Sequence, residues 1–274
     1  MITLHFFAPL AIFFIFCTSP FLFLRFRSLK QQGIHEPALE WASKWLGSTF
    51  FLLYISYRIA LQIDQFSRFP KAFTIFSWIN WILVMGVFVF FAYAYLFRHA
   101  PKVRANKTVE IILPLVCAVT PIALYETHRL LQIEALRHIP WIFSFFHPLK
   151  SKMPGNFSQL AFFFLIVGHI ITLTGFCTLG KSFSILTEAR VLITKGLYRF
   201  VRHPVYVGES IVMLGCACDV PSWCNWTLVV LWLAAQRYRA FVEEQKLESV
   251  FPEYKVYRQR VGAYFPRIFR TKEG

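Results

Sequence analysis

Gly196-Leu197-Tyr198-Arg199-Phe200-Val201-Arg202-His203-Pro204-Val205-Tyr206-Val207-Gly208-Glu209 lies between two strongly apolar parts of the chain, and its reading decides the fold. Arginines, a histidine and two tyrosines are costly to hold beside a bilayer unless they have work there. Pro204 lacks a backbone N–H and turns His203 away from helical geometry, so the tract is predicted to be a bend rather than a helix interior. A bend leaves backbone donors and carbonyls free for a ligand. By composition alone the tract reads equally as a basic cytoplasmic loop.

Working outward, the 274 residues are 57% hydrophobic and 19% aromatic. That leaves too little polar surface to coat a soluble domain, and several runs are long enough to cross a bilayer. The expected fold is all-α, a polytopic transmembrane helical bundle. Its apolar runs number about seven: 2–24, 46–63, 73–97, 109–125, 159–179, 207–219 and 223–236. The last two form a helical hairpin across Asp219-Val220-Pro221-Ser222, where Ser222 is a candidate N-cap. Pro114 and Pro121 mark expected kinks in the fourth run, and Arg58 is a charge within the second. Residues 126–156 read as an interfacial helix followed by an aromatic belt. No basic region precedes the first run, which favours a spanning helix over a cleavable signal.

The net charge of +15 would suggest nucleic acid for a soluble chain. Here it fits Lys and Arg flanking helices and anionic lipid headgroups, with no nucleic-acid partner. The six cysteines lie in or beside apolar runs without metal-ligand spacing, so they are read as small buried hydrophobes and no metal is expected. With the N-terminus outside and each run crossing, 22 Lys and Arg fall on inner segments and 6 on outer ones. This orientation places 180–206 and 237–274 together in the cytoplasm.

Two polar groups are thereby expected at one membrane face: Arg199, Arg202, His203 and Tyr206, and the helix start Arg237-Tyr238-Arg239-Ala240-Phe241-Val242-Glu243-Glu244. Arg239 and Glu243 are four apart and share a helical face, which on its own would be a solvated one. Continuing an apolar helix moves its first turns to the headgroup boundary. Glutamates there can balance a cation, and arginines can hold a carboxylate or phosphate bidentately. No Gly-x-Gly-x-x-Gly stands in the chain, and neither a Rossmann domain nor a P-loop is expected.

At these residues the chain resembles the isoprenylcysteine carboxyl methyltransferases and their phospholipid N-methyltransferase relatives, over about residues 160–266. The matching elements are Leu179-Gly180-Lys181-Ser182-Phe183, Glu188-x-Arg190, Gly196-x-Tyr198-Arg199-x-x-Arg202-His203-Pro204-x-Tyr206-x-Gly208-Glu209, and then Arg239, Glu243-Glu244-x-x-Leu247, Phe251 and Tyr254-x-x-Tyr257-x-x-x-Val261 before Pro266. Membrane sterol reductases share the Arg-His-Pro element; the Glu-Glu-x-x-Leu after an arginine sets the methyltransferases apart. Leu197 and Lys181 depart from the usual proline and arginine, and Phe251-Pro252-Glu253-Tyr254 is shorter than the usual run.

The resemblance implies S-adenosylmethionine as cofactor, in a cytosolic pocket between the Arg-His-Pro loop and the Glu-Glu helix. It implies Arg202, Arg239 and Glu244 as catalytic residues, and Tyr198, His203, Pro204, Tyr206, Gly208, Glu243 and Glu244 as cofactor contacts. The implied partner is a lipophilic or prenylated acceptor arriving from the membrane lipid. Residues 159–274 would be the methyltransferase core, and 1–158 N-terminal transmembrane helices of unassigned role. A sulfonium methyl is already activated, so such an enzyme chiefly positions nucleophile and methyl in line. A carboxylate acceptor needs no general base, whereas an amine must lose a proton. Phospholipid N-methylation, thiol S-methylation, an NADPH-dependent sterol-type reductase and a non-catalytic membrane protein stand as alternatives to carboxyl O-methylation.

Overall fold

A computed structural model describes residues 38–70, 74–126 and 157–267, together with Trp141 and Phe145. These residues form seven α-helices and two 3-10 turns, and no strand longer than an isolated bridge occurs among them. The all-α expectation holds. The first apolar run and nearly all of 126–156 lie outside the described residues. Three stretches, Lys44–Arg68, Ile75–Phe97 and Ser158–Ser182, are long and apolar enough to cross a membrane, and Thr108–Pro121 is a shorter apolar helix.

The chain divides into two compact units, one of Met1–Ala100 with Leu179–Ser184, the other of Pro101–Thr178 with Ile185–Gly274. In the first, helices α1 (Ala38–Arg68) and α2 (Ile75–Phe97) pair along an aromatic seam. The Phe51 ring lies 5.0 Å from Phe91 and 5.6 Å from Tyr95, and Tyr54 lies 4.5 Å from Phe88. Gly47 makes room for Tyr95, whose ring would stand 2.1 Å from an added Cβ. Thr74 caps α2 by accepting from the Ser77 N–H at 3.2 Å. Arg58, the charge within the second apolar run, donates to the Tyr54 hydroxyl one turn back.

The second unit contains α3 (Thr108–Glu126), α4 (Phe157–Leu179), α5 (Pro204–Asp219), α6 (Trp223–Val250) and α7 (Tyr254–Arg260). Its core joins α3, α4, α5 and α6 through Cys117, Leu124, Leu165, Met213, Cys216, Val229 and Trp232. Pro114 and Pro121 lie inside α3. Pro121 cannot donate to the carbonyl four residues back, that of Cys117. The indole N–H of Trp232 supplies the missing bond at 2.9 Å, so the proline opens a docking point for α6.

Helices α4 and α5 meet at small residues. A Cβ on Gly168 would stand 2.7 Å from the Val212 nitrogen, and one on Gly208 2.4 Å from the Thr172 hydroxyl. Gly168 and Gly175, like Gly208 and Gly215, are seven apart, so each pair lies on one helical face and lets the backbones approach closely.

Ser222 caps α6 as expected, accepting from the Asn225 N–H at 3.1 Å. The bend predicted over 196–209 is shorter than expected. A 3-10 turn, η1 (Gly196–Arg199), leads to His203, and a regular helix begins at Pro204, so Tyr206, Gly208 and Glu209 are helical. Proline stops a helix internally but suits its first position, where no N–H is required. The letters Gly175-x-x-x-x-Gly180-Lys181-Ser182 spell a phosphate-binding loop. They fall on the end of α4 and the 3-10 turn Gly180–Ser182, without the strand and following helix such a loop needs.

Candidate functional site

The loop ahead of α5 is pinned by the segment after α7. Gly196 sits at φ 59°, a left-handed conformation that favours glycine, and starts the turn. The Arg202 N–H then donates to the Gly262 carbonyl at 2.8 Å and the His203 N–H to Ala263 at 3.0 Å, with a parallel bridge between Val201 and Gly262. The Tyr257 hydroxyl donates to the Tyr198 carbonyl at 2.5 Å. Side chains at 202 and 203 therefore leave a backbone fixed on both sides.

Both converge on Glu244. Arg202 Nε donates to Oε1 at 2.9 Å and Nη2 to Oε2 at 3.2 Å, a bidentate fork, while His203 Nε2 lies 2.8 Å from Oε1. Arg202 Nη1 donates to the carbonyls of Val261 at 2.5 Å and Arg258 at 3.1 Å, and Arg258 Nε stands 3.5 Å from Glu244. Burial alone would raise the Glu244 carboxyl. The hydrogen bond from His203 and the charges of His203 and Arg202 outweigh it, and the carboxyl falls to about 2.

Beside this cluster lies a second. The Tyr206 hydroxyl donates to Glu243. The Tyr206 ring stacks on His203, with centroids 5.4 Å apart and planes within 4°, and the Arg239 guanidinium stands 5.0 Å from its centroid. Arg239 is buried, not spread on a solvated face. Its Nη1 donates to Gln236 Oε1 at 2.6 Å and its Nη2 to the Ile185 carbonyl at 2.9 Å, while Gln236 Nε2 donates to Glu209 at 2.6 Å. Arg239 Nε is a buried donor without a hydrogen-bond partner among the described residues.

Of the residues expected from the sequence, Arg202, His203 and Glu244 are in direct contact, and Tyr206, Glu243 and Arg239 surround the same stacked rings. Tyr198 is buried and contributes its carbonyl to the clamp, Pro204 starts α5 as a buried residue, and Gly208 lies at the α4 crossing. Sequence reasoning quoted Glu209 within the motif without giving it a role, and missed Gln236, which donates to it, and the buried Lys246, whose ammonium meets Glu110 at 2.7 Å. Lys246 follows two turns after Arg239 on the inner face of α6, a periodicity that could have marked it as buried.

The geometry defines a class: a helical membrane protein whose long helix α6 leaves its apolar core carrying an arginine–carboxylate–histidine cluster. The comparisons narrow it. Residues 157–254 match the family described as phospholipid methyltransferase. The chain is 33% identical over 113 residues to the protein-S-isoprenylcysteine O-methyltransferase of Schizosaccharomyces pombe, covering 38% of this chain and 48% of that protein. It is 33% identical over 113 residues to protein-S-isoprenylcysteine O-methyltransferase B of Arabidopsis thaliana, covering 38% and 56%. It is 37% identical over 79 residues to the cobalt-zinc-cadmium resistance protein CzcN of Cupriavidus metallidurans, covering 28% and 36%. The matched region thus spans about a third to just over half of these relatives. The resemblance to membrane methyltransferases read from the motifs is borne out over the part of the chain that carries them.

Proposed function

We propose that the protein is an integral membrane methyltransferase that uses S-adenosylmethionine and methylates the carboxylate of an isoprenylcysteine-like or other lipophilic acceptor. One observation carries this reading: Arg202 and His203 both close on Glu244, so the two motif halves, 41 or more residues apart, form one cluster inside the family-matching stretch. In this reading the chain is a bundle of about seven apolar segments with residues 159–274 as its methyltransferase core. The Lys and Arg bias supports a pocket that faces the cytoplasm.

The residues suit the cofactor. Its ammonium and sulfonium call for carboxylates, and Glu243 and Glu244 lie on adjoining positions of α6. His203 and Tyr206 offer parallel rings. His203, Tyr206, Glu243 and Glu244 would hold the cofactor, with Tyr198, Pro204 and Gly208 setting the loop and helix that carry them. When bound, S-adenosylmethionine supplies a methyl group already activated for displacement. Arg202 holds Glu244 by its fork. Arg239, buried and with its Nε and one hydrogen on each Nη unused by its bonds to Gln236 and Ile185, holds the acceptor carboxylate and aligns its oxygen. A carboxylate is ionised at neutral pH, so no residue need remove a proton.

The test is transfer of labelled methyl to a panel of prenylcysteine, phosphatidylethanolamine and thiol acceptors in native membranes. Base-labile methyl ester on the prenylcysteine is expected. Label on the amine or thiol alone overturns the carboxyl assignment, and no transfer to any of them overturns the activity. Arg239→Lys keeps the charge and loses the fork, so it should cut turnover strongly while affinity for S-adenosylhomocysteine holds.

A further inference from the structure

Lys246 is a buried charge for which the proposed reaction has no use. It lies two turns past Arg239 on α6, about 10 Å along the axis. Its ammonium donates to Glu110 Oε2 at 2.7 Å, to the Arg104 carbonyl at 3.0 Å and to the Thr187 carbonyl at 2.8 Å, which uses all three of its hydrogens. Glu110 is held in turn, because its Oε2 also accepts from the N–H groups of Asn106 at 3.0 Å and Lys107 at 3.4 Å at the start of α3.

The Thr187 carbonyl is the informative partner. Two residues earlier, the Ile185 carbonyl accepts from Arg239 at 2.9 Å. Two basic side chains of one helix therefore seize two carbonyls of one short non-helical strip. Beyond Thr187 the strip is anchored again, by Ala189 bonding Val103 in both directions at 3.0 and 3.2 Å and accepting from the Lys102 N–H at 2.8 Å. With Thr187 and Ala189 fixed, little freedom remains for the Ile185 carbonyl, and with that carbonyl fixed, the Arg239 guanidinium has one place to rest.

We propose that Lys246 is a positioning residue: by holding the Thr187 carbonyl it places the Ile185 carbonyl, and through it the Arg239 guanidinium that meets an anionic acceptor head. The kinetic consequence rests on the methyltransferase reading; the coupling between Lys246 and Arg239 does not. A lysine that merely bolted α6 to the start of α3 would weaken the fold without acting on Arg239.

The experiment has two arms, both on the full-length chain in lipid–detergent micelles. In the first, thermal unfolding is followed for the wild type, Lys246→Met, Arg239→Gln and the double variant. Residues this far apart without a shared partner lose stability additively. The shared strip predicts that the double variant loses clearly less in Tm than the two single losses together. In the second, Lys246→Met should raise acceptor KM by about tenfold while S-adenosylhomocysteine affinity stays within about twofold, as for a small displacement of a substrate-orienting group. Should Lys246→Met fail to fold, Glu110→Gln loosens the same lysine and should couple to Arg239→Gln with smaller amplitude and the same sign. Additive Tm losses overturn the proposal, as does an unchanged acceptor KM or an equal loss of cofactor-product affinity. If the wild type transfers no methyl while the stability cycle still couples, the methyltransferase reading falls and the Lys246–Arg239 linkage stands.

Discussion

Helix α6 is two helices in one, and its halves solve the same burial problem differently. From Trp223 to Ala235 the inner face is Cys224, Asn225, Val229 and Trp232. Its two buried polar groups reach main-chain carbonyls, Trp232 that of Cys117 and Asn225 those of Val220 and Leu124. From Gln236 to Val250 the buried residues are Gln236, Arg239, Ala240, Val242, Glu244 and Lys246, and each of the four polar ones meets a charged or polar side chain from another element. A carbonyl accepts from any donor of fitting shape. A buried carboxylate requires a cation at a fixed distance, or burial drives it to protonate. The first half therefore tolerates changes that keep volume, whereas the second demands particular residues, and a binding site belongs on the second.

The largest expected effect tests the demanding half. Glu244→Ala leaves Arg202 and His203 buried against each other with their shared acceptor gone. Breaking a buried pair by removing one partner costs about 3–5 kcal/mol. Tm should fall sharply and binding of S-adenosylhomocysteine should be lost. If Glu244→Ala melts like the wild type, the cluster is ornamental and the contrast between the halves collapses.

The same carboxyl gives that contrast a pH signature. It sits at about 2 in the folded protein against an ordinary 4.5, so on acidification the unfolded chain takes up this proton first. The stability Glu244 contributes is complete above about 4.5 and drains away between there and about 2. Unfolding in denaturant, compared between wild type and Glu244→Gln, should show curves that converge as pH falls through this window. Parallel curves from neutral pH to 2 would sink the assignment.

Trp232→Phe sharpens the comparison from the tolerant side. A smaller aromatic ring takes the place of the indole and the N–H donor goes, so the Cys117 carbonyl, already without a helical donor because of Pro121, is left bare. That costs about 1–3 kcal/mol, the desolvation penalty of one buried acceptor. Stability should drop while cofactor-product affinity and acceptor KM remain at wild-type values. A change in either would mean that the apolar half reaches the site.

How much of this was legible follows the same divide. The apolar runs gave α2 to α5 nearly their true limits, because apolar composition marks every residue of a run; α1 extends eight residues before its run and five past it, and α6 continues through the charged segment from 237 to Val250. The Arg-His-Pro loop and Glu-Glu helix were legible as motifs, and their meeting followed from the charge bias. Pro204 misled in one respect: it was read only as a helix breaker, and the reading ended the bend six residues late. Lys246 and Glu110 were illegible for a different reason. They are separated by 136 residues, each resembles an ordinary charge at a helix end, and nothing local to either names the other. Gln236 and Glu209, 27 residues apart, fail in the same way. The close crossing of α4 on α5 stood in the text as glycines spaced by seven, but no partner helix could be assigned to them until the chain was folded.

The smallest effect comes from the first residue of the tolerant half. Ser222 closes the hairpin turn, and its hydroxyl accepts from the Asn225 N–H at 3.1 Å, one of the four donors a helix start leaves open. Ser222 is buried, so water cannot easily take over the bond in its absence. Ser222→Ala should cost about 1 kcal/mol, the usual worth of an N-cap. The test is whether that loss travels. The helix is rigid and continuous from Trp223 to Val250, yet its far half is held by its own ion pairs and carbonyls, some four turns and about 20 Å away. If the two halves are independent, Ser222→Ala lowers Tm by a few degrees and leaves cofactor-product affinity untouched, and its loss adds to that of Glu244→Ala. If the losses fall short of additive, or affinity drops with the cap, the cap helps to set the height at which Arg239 and Glu244 stand, and α6 is then a single strut whose two halves differ in chemistry alone.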